Sequence, residues 1–302
     1  MLSYLSNPKT IRPLNPGYLA IRARVNQLID QYLSIDILSD RLSDLPNQFT
    51  NPQQRPWQPI NWQAIQQSQI VGVRPNLFLQ ILAGATEIEA PIRSYAEESW
   101  GYLQPLHPQM ATFMGGTPLA GKSTHEPGIW EKEERQHAPV FGKIYQQLTG
   151  EKLMLKPNTV QGYQASGNPW NDLNQHLISR IATEWGAASV YLWLMAHSTD
   201  ELHHAIAQPL QDEINHLAKF WGFSRWVLDN KAHHHIVGSS QNLANLIRHH
   251  RQERSHTDTL RHLDRATLQS GVELSFTLGR VIVRLHQWNK ELSYSYLRHL
   301  LK

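Results

Sequence analysis

Strand-like alternation of apolar and polar residues is nearly absent from this chain of 302 residues. Apolar side chains recur instead at i, i+3, i+4 and i+7, the spacing of one helix face. That restricts the chain to helices packed on helices, an all-α fold. The spacing predicts a first helix over 17–40, carried by Tyr18, Ile21, Val25, Leu28, Ile29 and Tyr32. It predicts a long one from Asn76 through LFLQILAGATEIEAPIRSYAEESWGYL, and others over 130–149, 174–196, 199–221, 240–262 and 265–300. Residues 45–61 (LPNQFTNPQQRPWQPIN) read as a connecting segment. Residues 105–129, dense in Pro and Gly, read as a loop. The expected organisation is an N-terminal helix and Pro/Gln-rich connection (1–75), a helix bundle (76–228), and basic, His-rich C-terminal helices packed on it (229–302).

One motif inside that loop would point elsewhere. Residues 116–123, GTPLAGKS, spell the phosphate-loop pattern letter for letter. Such a loop works only between a buried strand and a helix whose N-terminus faces the phosphate. QPLHPQMATFM precedes it with no β-branched run, and THEPG follows it, so an interhelical loop is expected. No apolar run approaches the length of a membrane span, and no signal-peptide core opens the chain. The absence of Cys excludes disulfides, thiolate metal sites and thiol nucleophiles. A cytoplasmic protein is expected. Charge is uneven: residues 229–302 carry 11 Lys and Arg against 6 Asp and Glu, whereas residues 1–228 carry 17 against 19. A basic segment of this kind suits an acidic partner. No interleaving of aromatic and basic residues argues for nucleic acid.

E-x-x-H occurs four times, at Glu134–His137, Glu201–His204, Glu213–His216 and Glu253–His256, where composition alone predicts about one. Helical faces sort them. On the 130–149 helix, Glu134 and His137 fall within the stripe of Trp130, Ala138, Phe141, Ile144, Tyr145 and Leu148, while Glu133 falls outside it. On the 199–221 helix, Glu213 lies on the face of Leu202, Ile206, Leu210, Leu217, Phe220 and Trp221, with His216 at its edge. Glu201 and His204 point away, and Ser198-x-x-Glu201 reads as a capping box. Glu253–His256 reads as exposed. Glu184 lies on the apolar face of the 174–196 helix. On the helix from Asn76, Glu89 is nearest the face of Phe78, Ile81, Ala85, Ile88, Ile92 and Ala96, while Glu97 and Glu98 lie well round the other side. Four helices thus each aim a carboxylate at one core. Four buried carboxylates repel, and two divalent metals would cancel their charge. Two Glu and two Glu-x-x-His motifs are the ligand set of ferritin-like di-iron and di-manganese proteins. Carboxylates with imidazoles suit iron or manganese.

These residues resemble one family in particular, the soluble acyl-carrier-protein desaturases of the ferritin-like di-iron superfamily. WEKEERQH (Trp130–His137) is similar to that family's W-x-x-E-E-N-R-H, and DEINH (Asp212–His216) to its D-E-K-R-H. GATEIEAPIRSY (Gly84–Tyr95) resembles the first ligand helix, in a register that selects Glu89. The resemblance spans about residues 77–222. The chain departs from the family in a longer loop before Trp130, and in Ala187 where desaturases carry a Thr. The resemblance implies a ferritin-like four-helix bundle with added N- and C-terminal helices, holding two iron ions or manganese. It implies Glu134 and Glu213 as bridging ligands, Glu89 and Glu184 as terminal ones, and His137 and His216 as one imidazole for each metal. Asp212 is the candidate to support an imidazole from behind, and Glu134, Glu184 and Glu213 carry the chemistry. The function implied is O2-dependent oxidation of an apolar or carrier-bound substrate, by desaturation, hydroxylation or a related step. An acidic electron donor such as ferredoxin, an acyl carrier protein, and a second copy of the chain are the implied partners. The alternatives are an iron-binding or ferroxidase protein and a non-catalytic interaction bundle.

Overall fold

Helices form where the apolar spacing places them and break where a proline or a polar cap interrupts it. The structure is a computed structural model that describes residues 18–90, 96, 100, 103–118, 125–155, 167–228 and 265–300. The expected helix over 17–40 is two, α1 (Tyr18–Tyr32) and α2 (Ile35–Ser43). Ser34 separates them: its hydroxyl accepts the Ile37 N–H at 3.2 Å and starts the second helix. A short helix, α3 (Leu45–Thr50), replaces the first part of the expected connection; Pro46 sits in its first turn, where its missing N–H costs nothing.

α4 (Pro75–Glu89) buries Phe78, Leu82, Ala85, Thr86 and Glu89. That stripe is rotated from the expected one, for Ile88 is 53% exposed. Glu97, Glu98 and the expected continuation of this helix lie almost wholly outside the described residues. The expected loop over 105–129 contains a helix, α5 (Pro108–Gly115), started by the His107 ring accepting the Met110 N–H at 3.1 Å. Its apolar residues, Met110, Phe113 and Met114, are buried, a signal masked by the Pro and Gly around them. Two residues on each side of the following loop pair antiparallel, β1 (Thr117–Pro118) with β2 (His125–Glu126). Gly116 bears a φ of 83°, and a Cβ there would collide with the Glu126 carbonyl oxygen. A helix therefore enters the GTPLAGKS string, not the strand that phosphate binding needs. Gly121, Lys122 and Ser123 lie outside the described residues.

The predicted helix over 130–149 is broken into α6 (Ile129–Glu134) and α7 (His137–Thr149). Pro139 is the cause: it has no N–H for the Arg135 carbonyl and its ring crowds that oxygen. The intervening turn tightens, with the Gln136 N–H reaching Glu133 O at 3.1 Å. Then come α8 (Pro169–Ala196) and α9 (Asp200–Leu228), joined by a turn at 197–199, and α10 (Arg265–Glu291) and α11 (Tyr294–Leu300). The anticipated capping box at this turn does not form. The Ser198 hydroxyl donates to Met195 O, and Glu201 instead accepts the Asn61 N–H at 2.7 Å. The helix expected over 240–262, Glu253–His256 and the arginines there lie outside the described residues.

α8 and α9 pack along each other; α4 and α7 pack on one another, α4 also against α8 and α7 also against α9. α1 and α10 lie against α8, and α2 and α11 against α9. Residues 51–72 form no long helix but run across the α8–α9 turn, where the Val71 N–H bonds His197 O at 2.9 Å and the Thr199 N–H bonds Gln69 O at 3.0 Å. Among the described residues no helix is long and apolar enough to cross a membrane.

Candidate metal centre

Six side chains predicted from the helical faces meet in one buried cluster. Glu89 arrives from α4, Glu134 from the end of α6, His137 from the start of α7, Glu184 from α8, and Glu213 and His216 from α9. None is more than 6% exposed. They form two overlapping sets, Glu89, Glu134, His137, Glu213 and Glu134, Glu184, Glu213, His216, with the ligand atoms of each set within 4.8 Å of one another. Glu134 and Glu213 belong to both. Glu134 and His137 keep the i,i+3 spacing across the tight turn at Arg135–Gln136, as Glu213 and His216 do on unbroken α9, so both pairs reach the cluster.

The Nδ1 atoms of the two imidazoles face inward. His137 Nδ1 lies 3.0 Å from Glu213 Oε1, 3.4 Å from Glu134 Oε2 and 3.8 Å from Glu89 Oε2. His216 Nδ1 lies 2.8 Å from Glu134 Oε1 and 3.5 Å from Glu184 Oε2. These approaches are close but out of line for hydrogen bonds, so both Nδ1 atoms and Glu213 Oε1 lack a hydrogen-bond partner although buried. Orphaned buried polar atoms are rare, and here three of them fall within one cluster.

The outer nitrogens are held by a reciprocal arrangement. His137 Nε2 is 3.3 Å from Asp212 Oδ2, and His216 Nε2 is 2.7 Å from Glu133 Oε2. Each imidazole therefore leans on the acid that directly precedes the Glu of the other motif. A carboxylate at Nε2 keeps the proton there and leaves the Nδ1 lone pair free for a cation.

Asp212 stands where it was expected, behind an imidazole. Glu133 does not: placed outside the stripe by a continuous-helix projection, it is fully buried. The break in the helix turns it inward, where the backbone at Arg55 meets it. Arg55 Nε bonds Asp212 Oδ1 at 2.6 Å, and the Arg55 backbone N–H bonds Glu133 Oε1 at 2.7 Å. Trp57 Nε1 donates to Asp212 Oδ2 at 2.7 Å, its ring stacked near that of His137. No spacing rule reaches Arg55 or Trp57 from the sequence. Glu133 was findable, since Glu133-Glu134 and Asp212-Glu213 are the same acidic pair three residues before a His.

Two aromatic donors complete the enclosure. The Tyr191 hydroxyl donates to Glu89 Oε1, and Trp130 Nε1 to Glu184 Oε1 at 3.3 Å. Phe141 packs edge-on to Tyr191, with ring centroids 4.8 Å apart. Burial, then the charges of Glu134 and Glu184, pushes the Glu213 carboxyl well above the usual range; burial and Glu134 raise Glu89. Burial opposes charge on both imidazoles, but the surrounding carboxylates overrule it and raise them well above their ordinary value. The Glu134 and Glu184 carboxyls are pulled down despite their burial, by His137 and His216 respectively. The cluster thus takes up protons to relieve its own repulsion, and cations would do the same.

Glu201 and His204 lie away from the cluster and hold residues 59–61 instead; His204 Nε2 is 3.2 Å from Pro59 O. Comparison with protein-family models, curated proteins and solved structures finds no match to this chain.

Proposed function

We propose that the chain is a non-haem di-iron oxidoreductase built on a ferritin-like four-helix bundle, of the type the acyl-carrier-protein desaturases represent. The observation that carries this reading is the pair of ligand sets sharing Glu134 and Glu213, with two inward imidazole nitrogens lacking hydrogen-bond partners. The donor set fits two divalent ions. Four carboxylates supply the countercharge, each set has one imidazole, and oxygen donors with imidazole suit iron or manganese. Glu89 and His137 would hold one ion, Glu184 and His216 the other, and Glu134 and Glu213 would bridge them.

Two iron ions so held would supply O2 reduction coupled to oxidation of an organic substrate, which takes four electrons, two from the substrate and two from an external donor. The protein's own part is to hold and exclude. Asp212 and Glu133 fix the imidazole tautomers. Tyr191 and Trp130 orient the terminal carboxylates. Phe141, Tyr191 and Trp130 keep water out of the walls. An acidic donor such as a ferredoxin, or an acidic carrier protein, suits the basic 229–302 segment. Its docking should weaken with salt and with charge reversal at Arg248, Arg251 and Arg254.

The test is metal content after anaerobic Fe2+ loading. Two irons per chain are expected for the wild type, with a near-ultraviolet band that appears on exposure to O2, and both are expected to be lost in Glu134→Ala and Glu213→Ala. A folded wild-type protein that takes no iron or manganese would end this reading.

A further inference from the structure

A groove between α4 and α7 opens onto one end of the cluster. Its volume is about 530 Å3, within the range of small-molecule sites. Thr86 and Glu89 of α4 and Gly142 of α7 are among the residues that line it. Of the six converging acid and imidazole residues only Glu89 borders it, so the groove ends at the set containing His137. A Cβ added at Gly142 meets nothing within 4 Å, so the space on that face is left by the glycine and filled by no neighbour. Leu153 and Leu155 give the wall an apolar character.

Charge is distributed one way. Arg135, Lys143 and Lys152 line the same groove. Arg135 pairs with Glu131, and Lys143 Nζ lies 4.0 Å over the Trp62 ring. Lys152 makes no ion pair among the described residues. Among the described residues, the acids beside these cations are Glu131, which pairs with Arg135, and Glu89, whose carboxylate belongs to the cluster. Among the described residues, one to two of these positive charges have no acid paired with them around the apolar space. A neutral chain would gain nothing from them, whereas a ligand bringing its own negative charge would.

We propose that this groove binds a small free organic anion with a compact apolar body, its charge at the Lys152 and Lys143 rim and its apolar part laid on Gly142 toward Glu89. That this anion is the substrate rests on the di-iron reading; its binding does not. The test uses hexanoate and its neutral isostere hexanamide, titrated calorimetrically into the full chain, metal-free and after anaerobic Fe2+ loading. Hexanoate is expected to bind at least about tenfold more tightly than hexanamide. Gly142→Leu, which fills the open space, is expected to weaken hexanoate binding by about tenfold or more. Lys152→Glu, an exposed substitution that leaves the fold intact, is expected to remove the preference for the anion. Both variants are expected to load iron as the wild type does. No binding of hexanoate by the wild type, equal binding of the two compounds, or undiminished binding by Gly142→Leu would each overturn the site. Hexanoate binding with these dependences in a chain that takes no iron would support the anion site and remove the oxidase reading alone.

Discussion

Arg55 is the residue whose truncation should do the most damage from outside the ligand set. Its guanidinium meets the fully buried Asp212 carboxylate, donates to Gln208 O, and its backbone N–H holds Glu133. Arg55→Ala leaves a buried carboxylate without its cation and should cost about 3 kcal/mol in urea denaturation. Arg55→Lys keeps the charge but not the planar fork, and should recover only part of that. Glu133→Gln removes the charged acceptor behind His216. It should preserve the fold and lower affinity for one of two irons about 10–100-fold, so titration would resolve a tight and a weak site. At this scale the ligands were legible because each sits on a helix whose apolar face points to the same core. What supports them was legible only in part. Asp212 shares a motif with Glu213, but Arg55 and Trp57 lie 78 to 157 residues away in sequence from the acids they hold, on an irregular segment with no periodicity to read.

Helices were legible as elements more than as boundaries. Each long apolar pattern that falls on described residues is helical, and each shortfall has a local cause: Ser34 as a cap, Pro139 as a breaker, and the apolar residues of α5 hidden among prolines and glycines. The Pro139 break also aims Glu133 at the His216 ring. Pro139→Ala restores the missing N–H and favours a continuous helix that turns Glu133 outward, away from His216. Helical content should hold or rise by circular dichroism while iron per chain falls. Gly116 tests the loop from the other side. With φ at 83° and the Glu126 carbonyl against it, Gly116→Ala should destabilise by about 1–3 kcal/mol, a loss seen as a lower melting temperature with or without nucleotide.

Across the whole molecule, protons and metal compete for the same buried charge. Glu89, Glu213, His137 and His216 are all held above their usual ranges, so metal must displace protons from them. Iron affinity should therefore fall with pH, and a chelator should strip iron faster at about pH 5.5 than at about pH 7.5. Iron at a hundredfold excess over its dissociation constant should add about 2.7 kcal/mol to stability. Lys219 has a separate pH signature. Burial lowers its ammonium from 10.5 to about 8, with Asn215 and Asp44 as its polar neighbours. Between those values the unfolded chain binds the extra proton, so stability should rise with pH by about 3 kcal/mol across that window and be flat below it. Lys219→Met should remove that rise in denaturation curves taken at each pH.

The strap formed by residues 51–72 has a consequence for how this protein divides. A fragment beginning at residue 76 would retain all six converging acid and imidazole groups and every long helix that carries them. It would lose Arg55 and Trp57, and with them the partners that hold Asp212 and Glu133. Modularity here does not follow the ligands. The smallest piece able to assemble the whole centre has to begin upstream of a stretch that composition alone marks as filler, and any transplant of this site into another scaffold has to carry that stretch along.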